Sequence, residues 1–183
     1  MRAFVALEIS GRVAEALAAF QKSLPSTGAD VKLVERENLH LNLKFLGEIS
    51  ESQASEVGLR LKRISVPGAE VDVRGAGAFP SSSRPRVVWA GMAREHEGLV
   101  VPIADEVERL LQGIGERDDR PYRPHITLGR VRSFRNLKPL EELLLENSDR
   151  EFGLIKLAEV KLKSSQLTPG GPVYTDLGVY PLG

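Results

Sequence analysis

The chain carries only three histidines, and two of them open the same four-residue pattern. His40-Leu41-Asn42-Leu43 and His125-Ile126-Thr127-Leu128 each read histidine, aliphatic, short hydrogen-bonder, leucine. The two histidines lie 85 residues apart, close to half of the 183-residue chain, which points to two related halves. A β-strand sends alternate side chains to opposite faces. Each pattern therefore offers two aliphatic side chains for burial on one face, and an imidazole with a hydrogen-bonder on the other. If two lobes face each other, both imidazoles line one cleft.

The surrounding pattern fits an α+β chain. Phe4–Ile9 reads as a strand. Ser10 is placed to cap a helix with Val13, Ala14, Leu17 and Phe20 on one face. Val31–Val34 is a short strand candidate, and Leu39–Leu46 a longer one closed by Gly47. Ser50 or Ser52 caps a helix bearing Val57, Leu61 and Ile64, which stops before Pro67. Residues 71–79 suggest a bulged strand, and Arg86–Ala90 another. A helix follows from Glu95 to Leu111, then a polar loop, a strand over Pro124–Val131 and a helix over Leu137–Leu145. Phe152–Leu162 and Val173–Tyr180 read as a closing pair of strands. Mixed order with short connections favours largely antiparallel sheets. No repeat of 20–50 residues stands out.

Composition removes several function classes. With no cysteine, disulfide frameworks, thiol nucleophiles and thiolate metal sites are excluded. Twenty-five basic residues balance 25 acidic ones, so the chain does not bind nucleic acid by bulk charge. Glu8 interrupts the N-terminus too early for a signal peptide, and no run is long enough to span a membrane. A cytoplasmic protein is the expectation.

Two histidines across a cleft suit phosphodiester cleavage. A neutral imidazole removes a proton from the attacking hydroxyl or water, and a protonated one gives a proton to the leaving oxygen. Imidazole holds either state near neutral pH. Asn42 and Thr127 are placed to donate hydrogen bonds to phosphoryl oxygens as charge builds there. Arg130 offers a forked donor for phosphate, but strand alternation puts it on the wrong face unless Gly129 permits a bulge. Lys44 has the parity of His40 and Asn42 and is a second candidate phosphate contact. The run Arg117, Arg120, Arg123, Arg130, Arg132, Arg135 reads either as a solvated face or as a rim for RNA. His96, among charges at a helix start, is expected to be exposed. Trp89 and Phe79 are assigned to the core rather than to base stacking. Asn and Thr are poor transition-metal ligands and no third histidine accompanies either motif, so neither a metal nor any other cofactor is expected.

The stretches His40–Glu48 and Arg123–Arg130 resemble the paired motifs of the two-histidine phosphoesterases. The family that the chain most resembles is the RNA 2′,3′-cyclic phosphodiesterases, also known as 2′-5′ RNA ligases. The resemblance extends through Arg2–Leu7, Pro85–Gly91 and Tyr174–Leu182. Its pattern is His-x-Thr or His-x-Ser, so Asn42 is a departure that keeps a donor but lacks the hydroxyl. The resemblance implies one domain over residues 1–183, bilobal, with two sheets related by a pseudo-two-fold axis around a central cleft, helices outside, and one motif per lobe. It implies no metal, His40 as general acid, His125 as general base, and a 2′-phosphate product. The implied partners are RNA ends carrying 2′,3′-cyclic phosphate, tRNA fragments among them, met by a monomer. Joining a cyclic end to a 5′-hydroxyl is the same-chemistry alternative. A non-catalytic RNA-end binding module is the alternative of another class.

Overall fold

The computed structural model describes all 183 residues. Its elements run β1 (Arg2–Glu8), α1 (Gly11–Gln21), α2 (Ser23–Ser26), β2 (Val31–Leu33), β3 (His40–Glu48), α3 (Glu51–Leu61), β4 (Ala69–Pro80), β5 (Pro85–Met92), α4 (Arg94–Leu110), β6 (Ile126–Val131), α5 (Leu137–Glu146), β7 (Glu151–Leu157), β8 (Glu159–Thr168) and β9 (Gly171–Pro181). A 3₁₀ turn over Arg36–Asn38 leads into β3.

All pairing is antiparallel, in the order β7-β4-β5-β6-β3-β1-β8-β9, with β2 added beside β6. Two four-stranded sheets, β7-β4-β5-β6 and β3-β1-β8-β9, meet edge to edge at their histidine-bearing strands. They are joined there by one pair, Leu41 with Ile126. The two expected sheets are thus hydrogen-bonded into one curled surface.

The helices cross between the halves. After β1 the chain runs through α1, which packs on β7 and β6 of the other half. After β5 it runs through α4, which packs on β3 as well as β4. Val13, Ala14, Leu17, Phe20 and Gln21 form the buried stripe of α1; Val100, Ile103, Ala104, Val107 and Leu110 form that of α4. Both follow the three-and-four spacing of an amphipathic helix. The result is a single core of 43 buried residues that runs through both halves. Full burial of each such Leu or Ile contributes about 1.5–3 kcal/mol, so the helix lent by the other half supplies part of the stability of each.

Local details differ from expectation in three places. Ser10 occupies the cap position of α1 but its side chain makes no cap bond, whereas Ser50 and Gln53 close a reciprocal capping box at α3. α3 ends at Leu61, because the amides of Arg63 and Ile64 turn back to carbonyls three residues before them, and Ile64 packs from that turn. Most consequentially, Phe152–Leu162 is not one strand. It divides at Ala158: β7 pairs with β4 in one half and β8 with β1 in the other.

Gly129 lets β2 reach β6. A Cβ there would lie 2.7 Å from Val31 Cγ1 and 3.1 Å from the Lys32 carbonyl oxygen. Gly129→Ala is therefore expected to lower unfolding free energy by about 1–3 kcal/mol in urea titration, as overpacking does. Gly98→Ala, on the exposed side of α4 with no atom within 4 Å, is expected to raise it by about 0.5–1 kcal/mol. Equal effects of the two substitutions would contradict this packing.

Candidate active site

The pair Leu41–Ile126 fixes the register of the two motifs. Antiparallel pairing then sets His40 opposite Thr127 and Asn42 opposite His125, all on the face away from the helices. Diagonal neighbours in such a register lie about 7–8 Å apart. A charge on His125 accordingly weighs on His40.

Each imidazole is held in the same way. His40 Nδ1 lies 2.7 Å from the Asn38 carbonyl oxygen, and His125 Nδ1 lies 2.7 Å from that of Arg123. Since a carbonyl only accepts, each Nδ1 carries the proton and donates. Nε2 is then the free position, a lone pair in neutral imidazole and a donor in imidazolium. Each ring also rests on phenylalanine: Phe4 at 5.0 Å from His40 and Phe79 at 5.0 Å, edge-on, from His125. Tyr174 meets both His40 and Phe4 edge-on. It comes from β9, whose hairpin with β8 arches over the concave face until the Asn38 amide donates to the Pro172 carbonyl at 3.1 Å. Nothing in the sequence marked Phe4 or Tyr174 for this place.

The arginine question is settled by a bulge. Trp89 pairs with Thr127 but Val88 pairs with Gly129, so Leu128 is the extra residue in β6. Alternation is reset, Leu128 and Gly129 are both buried, and Arg130 emerges exposed on the face of Thr127. A matching bulge occurs in β3, where Ala6 pairs with Asn42 and Val5 with Lys44. There it overturns the expectation for Lys44. The bulge at Leu43 turns Lys44 to the helix side, where its Nζ lies buried, 2.6 Å from Glu108 and 3.1 Å from the Glu116 carbonyl. Phe45 takes the place corresponding to Arg130, with the Arg2 guanidinium 5.2 Å above its ring.

Buried donors pin both bulges. Gln21 Nε2 donates to the Leu128 carbonyl at 2.8 Å, and Tyr122 Oη donates to the Asn42 carbonyl at 2.9 Å. Burial pushes the Tyr122 phenol up, so it remains a donor at all ordinary pH.

Other expectations are corrected or divided. His96 is half-buried, and its Nδ1 accepts the Asp72 amide at 2.9 Å. Trp89 and Phe79 lie outside the helix-covered core. They stack at 5.3 Å beside His125, with the indole lying flat where a Cβ on Gly77 would stand 2.5 Å from it. In the arginine run, Arg117 pairs with Asp119, Arg120 with Asp118 and Arg132 with Asp30; Arg123, Arg130 and Arg135 have no carboxylate partner. On the His40 side, Lys161 and Lys163 each bridge Glu8 and Asp176 at 2.6–3.1 Å.

Burial is the main cause that pushes both imidazoles below the ordinary 6.5. Arg130 adds to this for both, and Lys163 and His125 for His40; the carbonyl hydrogen bonds oppose it. No cluster of His, Asp and Glu suited to a metal ion is present. The site is thus two oriented imidazoles, two short donors and an unpaired guanidinium on one concave face. That is equipment for moving protons around a phosphate.

This assembly is that of a phosphoesterase. The LigT like Phosphoesterase family model matches residues 7–89 and 92–174, two stretches offset by the same 85 residues as the histidines. An RNA 2′,3′-cyclic phosphodiesterase of Aeropyrum pernix is 43% identical over 162 residues, covering 88% of this chain and 92% of its own. One from Methanothermobacter thermautotrophicus is 37% identical over 100% of this chain and 99% of its own. The crystal structure of Escherichia coli LigT with 3′-AMP superposes with a TM-score of 0.80 at 25% identity, over 99% of this chain and 97% of that one. The chain belongs to the LigT-like phosphoesterase family.

The electrostatics make a prediction of definite sign. In the free protein, followed by NMR, His40 and His125 should both titrate below 6.5, so both are neutral at pH 7. An anion placed between them favours the charged form. Adding a nucleoside monophosphate should raise both midpoints, and its affinity should fall as pH rises through them. Unchanged midpoints would mean that the phosphate does not sit between the imidazoles.

Proposed function

We propose that this chain hydrolyses 2′,3′-cyclic phosphate at RNA ends to a 2′-phosphomonoester, with His125 as general base and His40 as general acid. The observation that carries the reading is the matched pair of Nδ1-to-carbonyl hydrogen bonds, which leaves each Nε2 free for proton transfer. The names borne by the relatives supply the substrate class.

The reaction balances on these residues. His125 Nε2 takes a proton from water as its oxygen attacks phosphorus. The bond from phosphorus to O3′ breaks. His40 Nε2 gives its proton to O3′, leaving the phosphate on O2′. Arg130, Thr127 and Asn42 donate to the non-bridging oxygens, whose charge grows in the transition state. Cations around His40 make its imidazolium a stronger acid, which suits a donor. The substrate's own charge restores the proton that these cations would otherwise drive off. Water is replaced by a 5′-hydroxyl in the ligation direction, with the same residues.

No helix is long and apolar enough to cross a membrane. We extend the reading to a monomer acting on cytoplasmic RNA ends, tRNA fragments included, because every element of the site comes from one chain.

The test is a cyclic-phosphate-ended oligoribonucleotide incubated with the protein in EDTA, with product ends mapped. A 2′-phosphate product is expected, and His40→Ala and His125→Ala should each lower kcat at least about a hundredfold with the fold retained by circular dichroism. Dependence on an added divalent ion, or near-normal turnover by either variant, would sink the reading. Asn42→Ala and Thr127→Ala should lower kcat more than they raise KM, since their donors matter most as charge develops.

A further inference from the structure

β2 lies beside the end of β6 that carries Arg130, and Lys32 is the residue paired with Arg130. Directly paired residues of antiparallel strands point to the same face. Lys32 and Arg130 are both exposed, and neither has a carboxylate within salt-bridge distance. Asp30, the nearest acidic residue in sequence to Lys32, is taken by Arg132. Like charges placed opposite each other are destabilising. An unneutralised pair on the cleft side, next to the motif of His125, is therefore a place that gains from an anion.

The nearest uncommitted carboxylates along the chain lie past the end of β2, between it and β3. Beside the Asn38 end of β3, a groove of about 530 Å³ between the 3₁₀ turn and the tip of the β8–β9 hairpin is lined by Glu35, Glu37 and Tyr174. A phosphate would be repelled there. Arg130 is carried by β6, the strand that follows His125, while Lys32 is carried by the neighbouring β2. Lys32 thus stands one step further from the reacting phosphate.

We propose that Lys32, next to the Arg130 that serves the reacting phosphate, forms a second phosphate subsite that holds the internucleotide phosphate 5′ to the terminal nucleotide. This rests on the reading of the site as an RNA-end phosphodiesterase and adds to it a direction for the strand. The RNA leaves the cleft over the Lys32–Arg130 pair rather than over the groove of Glu35 and Glu37. It also makes Lys32 a specificity determinant, since a cyclic mononucleotide has no internucleotide phosphate to offer.

The experiment compares a 2′,3′-cyclic mononucleotide with a short oligoribonucleotide ending in 2′,3′-cyclic phosphate. Lys32→Ala should lower kcat/KM for the oligonucleotide about tenfold more than for the mononucleotide, mainly through KM. It should reduce the slope of log affinity against log salt by about 0.7, the loss of one single-strand phosphate contact. Lys32→Arg should restore discrimination, and Lys32→Glu should weaken it further than alanine does. The thermal midpoint of Lys32→Ala should equal or exceed that of the parent, because a like-charge pair is removed. Equal effects on both substrates, or none on the oligonucleotide, would overturn the proposal. Fluorescence anisotropy with a 2′-phosphate-ended oligonucleotide keeps the two readings apart. If the parent cleaves neither substrate, the functional reading fails, and the subsite stands or falls on whether Lys32→Ala weakens this binding with a reduced salt slope.

Discussion

One strand pair holds the site together. Leu41 and Ile126 are the only paired residues between β3 and β6, and that pair alone sets the two motifs side by side in opposite directions. Slipping the register by one residue would turn one imidazole toward the helices. The pair is fully buried on the helix side, among residues of the continuous core. Its stability is borrowed from the crossed helices, since α1 leaves its half to cover the other and α4 packs on both. The exchange ties the spacing of the two imidazoles to the global fold rather than to a local hydrogen bond.

The two halves then diverge in a useful way. Both motif strands bulge at the leucine that ends the pattern, Leu43 and Leu128. In one half the bulge brings Arg130 onto the cleft face; in the other the same step brings Phe45. The corresponding positions of the two frames therefore differ: a free guanidinium follows the motif of His125, and an aromatic ring under the Arg2 guanidinium follows that of His40.

What the sequence revealed follows from how far each feature depends on distant partners. Strand alternation at 40–43 and 125–128 is local, and the shared face of His40 with Asn42 and of His125 with Thr127 was legible from it. The helix stripes were legible for the same reason. A bulge is decided by the partner strand. Gly129 signals one in β6, so strand parity alone does not fix the face of Arg130. Nothing comparable flanks Leu43, so strand parity puts Lys44 on the wrong face. The contact of Asn38 with Pro172 spans 134 residues, and no periodicity announces a hairpin that arches back over the sheet. Phe152–Leu162 misled because its β-pattern is continuous while its two parts serve different halves.

The proposed chemistry needs the two imidazoles to do different work on one phosphate. Leaving-group chemistry tests that directly. A substrate whose leaving group departs without protonation no longer needs the acid but still needs the base. Such a substrate should restore most of the activity lost in His40→Ala and little of that lost in His125→Ala. Equal rescue of both variants, or rescue of His125→Ala alone, would contradict the assignment of acid to one strand and base to the other.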